Sequence, residues 1–152
     1  MVVANILKMP RQRPEGATGL NAHFGEREFD VMDVLWSATD RLDVGEVCER
    51  LDGKIAYATV KTIMERLVIK GHLCREKTQR RYLYWPSRTK EETESEHAAA
   101  DVRDLMDGFG HLAVVSFVDA IRSDEETLDH VRRLLAQVED RGDESTPRKS
   151  AT

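Results

Sequence analysis

Cysteine is scarce in this chain: Cys48 and Cys74 are the only two in 152 residues. Two thiols outside any C-x-x-C motif make no disulfide framework, so they point to small buried side chains and a reducing cytoplasm. Long apolar runs are also missing. Leu112–Ser116 and Leu67–Ile69 fall far short of the roughly 20 residues that a membrane-spanning helix needs, so no insertion into a bilayer is expected. Near the start, Val2–Leu7 is apolar, but Lys8 follows it instead of preceding it, which is not the order of a signal peptide. No glycine-rich phosphate loop and no G-x-S-x-G nucleophile motif occurs, which argues against an enzyme. His23, His72, His97, His111 and His130 show no helical i,i+3 or i,i+4 pairing with another histidine or cysteine. No metal site and no cofactor are therefore expected.

Positive charge is in deficit overall, with a formal net charge of −5. The deficit is uneven. Residues 1–53 sum to −4, residues 54–90 to +8, and residues 91–152 to −9. A polyanion responds to the local field, because repulsion from elsewhere is screened beyond about 8–10 Å in physiological salt. The central window is thus a candidate surface for phosphates.

Residues 1–24 hold Pro10, Pro14, Gly16 and Gly19 without a sustained period, and read as a disordered arm. Helical periodicity then begins. Phe29, Met32 and Trp36, flanked by Val31 and Leu35, predict a helix over about 26–38. Val44, Val47, Cys48 and Leu51 predict a second over 44–51, stopped by Asp52–Gly53. Val60, Ile63, Met64, Leu67 and Val68 predict a third over 57–70, ended by Lys70 and Gly71. Runs 73–77 and 81–85 alternate with period two around Thr78-Gln-Arg80 and read as a β-hairpin, in which Arg81, Leu83 and Trp85 share a face. Pro86 closes it. Beyond it, Thr89-Lys-Glu-Glu92 opens a polar helix to about Gly108, an apolar helix covers 111–122, and Ser123-Asp-Glu-Glu126 opens a third. Residues 141–152 are polar, with Gly142 and Pro147, and read as a disordered tail.

Helix, helix, turn, helix and hairpin within some sixty residues is the order of a winged helix-turn-helix. The fold class expected is therefore mostly α with a small β-hairpin wing, and a C-terminal helical dimerisation segment. Its domains would be a winged helix over 25–87 and the helical segment over 88–140. The third helix would present Tyr57, Ala58, Thr59, Lys61, Thr62 and Arg66 to the major groove of double-stranded DNA. The hairpin would place Arg75, Lys77, Arg80 and Arg81 on the phosphate backbone.

The runs Glu28-Phe-Asp-Val-Met-Asp-Val-Leu-Trp36, Tyr57-Ala-Thr-Val60, Met64-Glu-Arg-Leu-Val-Ile-Lys-Gly71 and Arg81-Tyr-Leu-Tyr-Trp-Pro86 resemble the penicillinase-repressor family. The likeness extends over about 24–138. It implies a homodimer on a dyad operator that represses genes until it is inactivated. In the best-known members a membrane-bound sensor metalloprotease triggers a cut between asparagine and phenylalanine in the dimerisation segment. Here Val115-Ser-Phe-Val118 matches that stretch, which makes Ser116 and Phe117 the expected cleavage residues, with serine in the place of asparagine. Copper-responsive relatives carry a C-terminal Cys-x-Cys pair. This chain has no cysteine after Cys74, so a switch of that kind is not expected.

The last three helices carry many apolar residues in about fifty positions, too few to close a comfortable monomeric core. A homodimer is expected to bury Leu105, Phe109, Leu112, Val115, Phe117, Val118, Ile121, Leu128, Val131 and Leu135. Two other readings stay open. One is a winged-helix regulator that senses a small ligand, the other a winged-helix interaction module that never touches DNA.

Overall fold

The computed structural model describes residues 19–143. The chain divides into two compact units, one ending at Asp101 and the other beginning at Val102. Residues 1–18 and 144–152 of the expected arm and tail lie outside the described residues.

The first unit is built on α1 (Glu26–Ser37), α2 (Val44–Arg50) and α3 (Tyr57–Ile69), followed by β1 (Leu73–Lys77) and β2 (Tyr82–Pro86). In α1 the buried set is Val31, Met32 and Leu35, with Phe29 and Trp36 at its margin. A helix that packs on α2, α3 and β2 together needs a wide apolar stripe. Asp43 starts α2 with a capping box: its carboxylate accepts from the Glu46 amide at 2.8 Å, and the Glu46 carboxylate accepts from the Asp43 amide at 2.8 Å. α3 buries Val60, Ile63, Met64 and Leu67. It ends where Gly71 takes a φ of 82°, so that the amides of Gly71 and His72 reach back to the carbonyls of Val68 and Leu67.

β1 and β2 pair antiparallel, with Leu73 opposite Pro86 and Arg75 opposite Tyr84. The second strand lies one residue later than expected, and its core side chain is Tyr84, only 1% exposed, whereas Leu83 on the opposite face is half-buried. Tyr84 turns inward because the ribbon has a third partner: Leu42 exchanges both backbone hydrogen bonds with it, at 2.8 and 3.0 Å. The hairpin is thereby tied to the segment that caps α2.

Two boundaries differ from expectation. Gly19–Ala22 forms a 3-10 turn, and Leu20 and Phe24 are buried in the core. The winged-helix unit thus recruits residues assigned to a disordered arm, because two large apolar side chains find cover there despite the lack of a period. At the other end, α4 (Lys90–Phe109) starts from the Thr89–Glu92 capping box. Its first half belongs to the first unit, with Thr93 buried and Asp101 bonded to His23 at 3.0 Å. The division therefore falls after Asp101, not at residue 88.

The second unit holds the end of α4, α5 (His111–Ile121) and α6 (Glu125–Asp143). Gly110, with a φ of 53°, makes the turn between α4 and α5. Asp124, not Ser123, caps α6: its carboxylate accepts from the Thr127 amide and hydroxyl at 3.1 and 2.6 Å. A carboxylate next to the positive end of the helix outcompetes the hydroxyl one residue earlier. Arg141 continues α6 into what was expected to be tail. Among the described residues of this unit only Ala113 is buried. No helix among the described residues is long and apolar enough to cross a membrane.

Candidate nucleic-acid interface

The apolar stripe of α3 is turned into the core against α1 and α2, so its opposite side is left open. Tyr57, Ala58, Lys61, Thr62 and Arg66 all lie on that exposed side. Thr59 is half-buried, next to fully buried Val60, and belongs to the margin of the face. The helix begins at Ala56 without a side-chain cap, so its positive end is not neutralised by a capping carboxylate. The Thr62 hydroxyl donates to the Ala58 carbonyl at 2.9 Å. Its methyl group and its oxygen lone pairs are what it offers outward.

The four expected hairpin cations are all exposed but differ in their surroundings. Arg75 stacks over the Tyr82 ring at 4.5 Å, and a hydrogen bond with Tyr84 raises its guanidinium pKa further, so it is a fixed charge. Lys77 and Arg80 flank the turn closed by the Thr78 amide and hydroxyl on the Arg81 carbonyl, at 2.8 and 2.9 Å. Neither makes an ion pair with another described residue. Arg81 is committed inward: its Nη1 donates to the Asp43 carboxylate at 2.5 Å. Asp43 is opposed by two tendencies. Burial pushes its carboxyl up, but the hydrogen bond from the Glu46 amide and the Arg81 charge hold it below the usual aspartate range.

Arg41 was not among the expected residues. Its guanidinium lies 3.7 Å over the Trp85 ring and its Nη1 meets Glu76 at 2.5 Å, which sets a further cation against the hairpin. It precedes the basic window by thirteen positions, and only the Leu42–Tyr84 pairing brings it there.

In the second unit, Leu105, Phe109, Leu112, Val115, Phe117 and Val118 are exposed, as is Leu135, while Ile121, Leu128 and Val131 are half-buried. Val102, Met106, Val114, Leu134 and Val138 extend the apolar surface beyond the residues picked from periodicity. Ser116 and Phe117 are consecutive, exposed residues inside α5. Among the described residues no group of histidine, cysteine or carboxylate side chains is arranged to hold a metal ion. Cys48 and Cys74 are free thiols, both half-buried.

A family model described as penicillinase repressor matches residues 24–137. A transcriptional regulator, BlaI, from two strains of Mycobacterium tuberculosis is 34% identical over 120 residues, covering 76% of this chain and 84% of its own. Among solved structures, a MarR/EmrR family transcriptional regulator from Acinetobacter sp. ADP1 is 21% identical over 80% of this chain and 78% of its own, with a TM-score of 0.38. The PcaV transcriptional regulator from Streptomyces coelicolor is 23% identical, with coverages of 74% and 75% and a TM-score of 0.39.

Proposed function

The chain belongs to the penicillinase repressor family, and we propose that it represses by seating two copies of its winged helix on a dyad operator. It is a DNA-binding transcriptional repressor of winged-helix type. The observation that carries the finer reading is the open side of α3, where Lys61, Thr62 and Arg66 stand beside Tyr57 and Ala58 on a helix whose other side is wholly buried. Lys61 and Thr62 read base edges, with the threonine serving as a methyl or acceptor contact. Arg75, Lys77 and Arg80 bind phosphates and supply affinity without sequence preference. Arg81 serves differently: held by Asp43, it fixes the wing to the start of α2. This function needs neither a cofactor nor catalysis and belongs to the cytoplasm.

The apolar surface of the second unit supports a homodimer, since two-fold symmetry would match a palindromic operator. Cleavage by a sensor metalloprotease at Ser116–Phe117 would remove α6 and the end of α5 and so release the operator. The bond lies in a helix, so α5 must open locally before a protease can take it.

The test is a titration of full-length protein on a dyad operator over a range of salt. The expected log–log slope is about −0.9 per phosphate neutralised. Lys77→Ala with Arg80→Ala should flatten that slope and weaken specific and random DNA alike. Lys61→Ala or Thr62→Ala should instead change the preferred base at one position per half-site, at a cost of roughly 1–3 kcal/mol. Binding that ignores salt would overturn the DNA reading. An unchanged consensus from both α3 variants would take Lys61 and Thr62 out of the base-reading set.

A further inference from the structure

Two arginines of the first unit pair with carboxylates across the hairpin, and the two pairs are unlike. Arg81 meets Asp43, whose side chain is 19% exposed and also caps α2. That carboxylate is held in place by a second duty. Arg41 meets Glu76 of β1 at 2.5 Å, and their side chains are 49% and 60% exposed. An ion pair open to solvent at both ends contributes little and is readily exchanged. What fixes Arg41 is the half-buried Trp85, whose ring its guanidinium covers at 3.7 Å. Stacking on an indole orients the planar cation and leaves its N–H groups directed outward, in the plane that suits a bidentate oxyanion. Glu76 takes one of them, Nη1.

We infer that Arg41 is a further phosphate ligand of the winged helix, aimed by Trp85, and that a DNA phosphate displaces Glu76 from it on binding. The inference rests on the DNA-binding reading above and adds a residue outside the basic window. Its place in the fold supports it. Leu42 pairs with Tyr84, which sets Arg41 beside Trp85. Successive side chains of a strand point to opposite faces, so Trp85 and the buried Tyr84 lie on different sides of the ribbon. Arg75 is on the side of Tyr84, to which it is hydrogen-bonded, and stacks on Tyr82. Arg41 is on the other. The ribbon therefore carries a stacked arginine on each face, with Arg80 at the turn between the strands. A wing that enters a groove of DNA has a phosphate strand on either side, and donors on both faces serve that position. A polyanion then competes for Arg41 with one exposed carboxylate, and the release of its counterions favours the exchange.

The experiment is a salt titration of full-length protein on a dyad operator, with wild type, Arg41→Gln, Arg41→Lys, Glu76→Gln and the Arg41→Gln, Glu76→Gln double variant. Arg41→Gln should weaken binding and flatten the log–log slope by about 0.9 per bound copy, and Arg41→Lys should restore the slope. Glu76→Gln should tighten binding by roughly two- to fivefold, the worth of an exposed ion pair. That gain should shrink when Arg41 is already Gln, because the two changes act on one contact. A pair that merely braced the wing would give the opposite sign, with Glu76→Gln binding more weakly and melting lower. Weaker binding by Glu76→Gln would therefore overturn the inference, and this needs no change at Arg41. An equal gain in both backgrounds would also overturn it, since Glu76 would then act only as a general negative charge. A steep wild-type slope that Arg41→Gln leaves unchanged would remove Arg41 alone and leave the DNA reading standing. A wild-type chain whose binding ignores salt would overturn both.

Discussion

In the first unit Val31, Val47, Val60, Met64 and Leu67 are at most 1% exposed, whereas in the second Phe109, Leu112 and Val138 are at least 60% exposed. The contrast is not one of composition, since α5 is among the most apolar stretches of the chain. What differs is the number of covering elements. The first unit encloses its apolar stripes with three helices, a hairpin and the 3-10 turn. The second has the end of α4, α5 and α6, and among its described residues buries one alanine. Burial is therefore decided by neighbours, and an apolar helix without them keeps its driving force unspent. That is the physical case for a second copy of the chain as the missing cover.

The largest expected effect tests that case directly. Phe117→Asp would place a carboxylate in the proposed contact, where an unpaired charge costs several kcal/mol. Sedimentation should then show a monomer, and affinity for a two-half-site operator should fall far more than affinity for one half-site. The first unit should melt as before. A variant that stays dimeric and binds the full operator normally would remove Phe117 from the interface and with it the proposed release by cutting nearby.

The converse change belongs in the first unit. Leu67 is fully buried in the last turn of α3, and Leu67→Ala should cost about 2–5 kcal/mol through lost burial and an unfilled cavity. Thermal unfolding should show the loss, and half-site binding should fall with it. The second unit should still associate. If association also disappeared, the two units would not be separable, and the comparison drawn from burial would fail.

The difference between the units also explains what could be read from the sequence. Helical stripes in α1, α3 and α5, the Gly71 stop and the Thr89–Glu92 box were legible because each is a local pattern. The exposed face of α3 followed once its stripe was known. Long-range contacts were not legible. Tyr84 and Leu83 alternate on a ribbon with cover on both sides, and only the Leu42 bridge selects Tyr84 for the core. Leu20 and Phe24 lie in a segment too short to show a period. His23, His72 and His97 come together from distant segments, so spacing could not link them. The pairing of Arg81 with Asp43 spans 38 positions, so it too had no local signal.

That last contact gives the smallest of the expected effects. Asp43 caps α2 and holds Arg81 of the wing, so one carboxylate serves both the helix-turn-helix and the hairpin. Asp43→Ala removes both contacts, and loss of the cap should cost about 1 kcal/mol. Asp43→Asn keeps an acceptor for the Glu46 amide but not the charge that pairs with Arg81. It should melt below the wild type but above the Ala variant at neutral pH, and bind operator less tightly, because the wing is no longer fixed to α2. The Asn variant and the wild type should also separate in acid. The Asp43 carboxyl lies below its ordinary value of 3.8 in the folded chain. The stability it contributes is therefore present above that value and lost as the pH falls through the lower, folded one. The Asn variant should lack this part of the acid dependence. An Asn variant with the wild-type acid profile and wild-type operator affinity would show that Asp43 is a cap and nothing more.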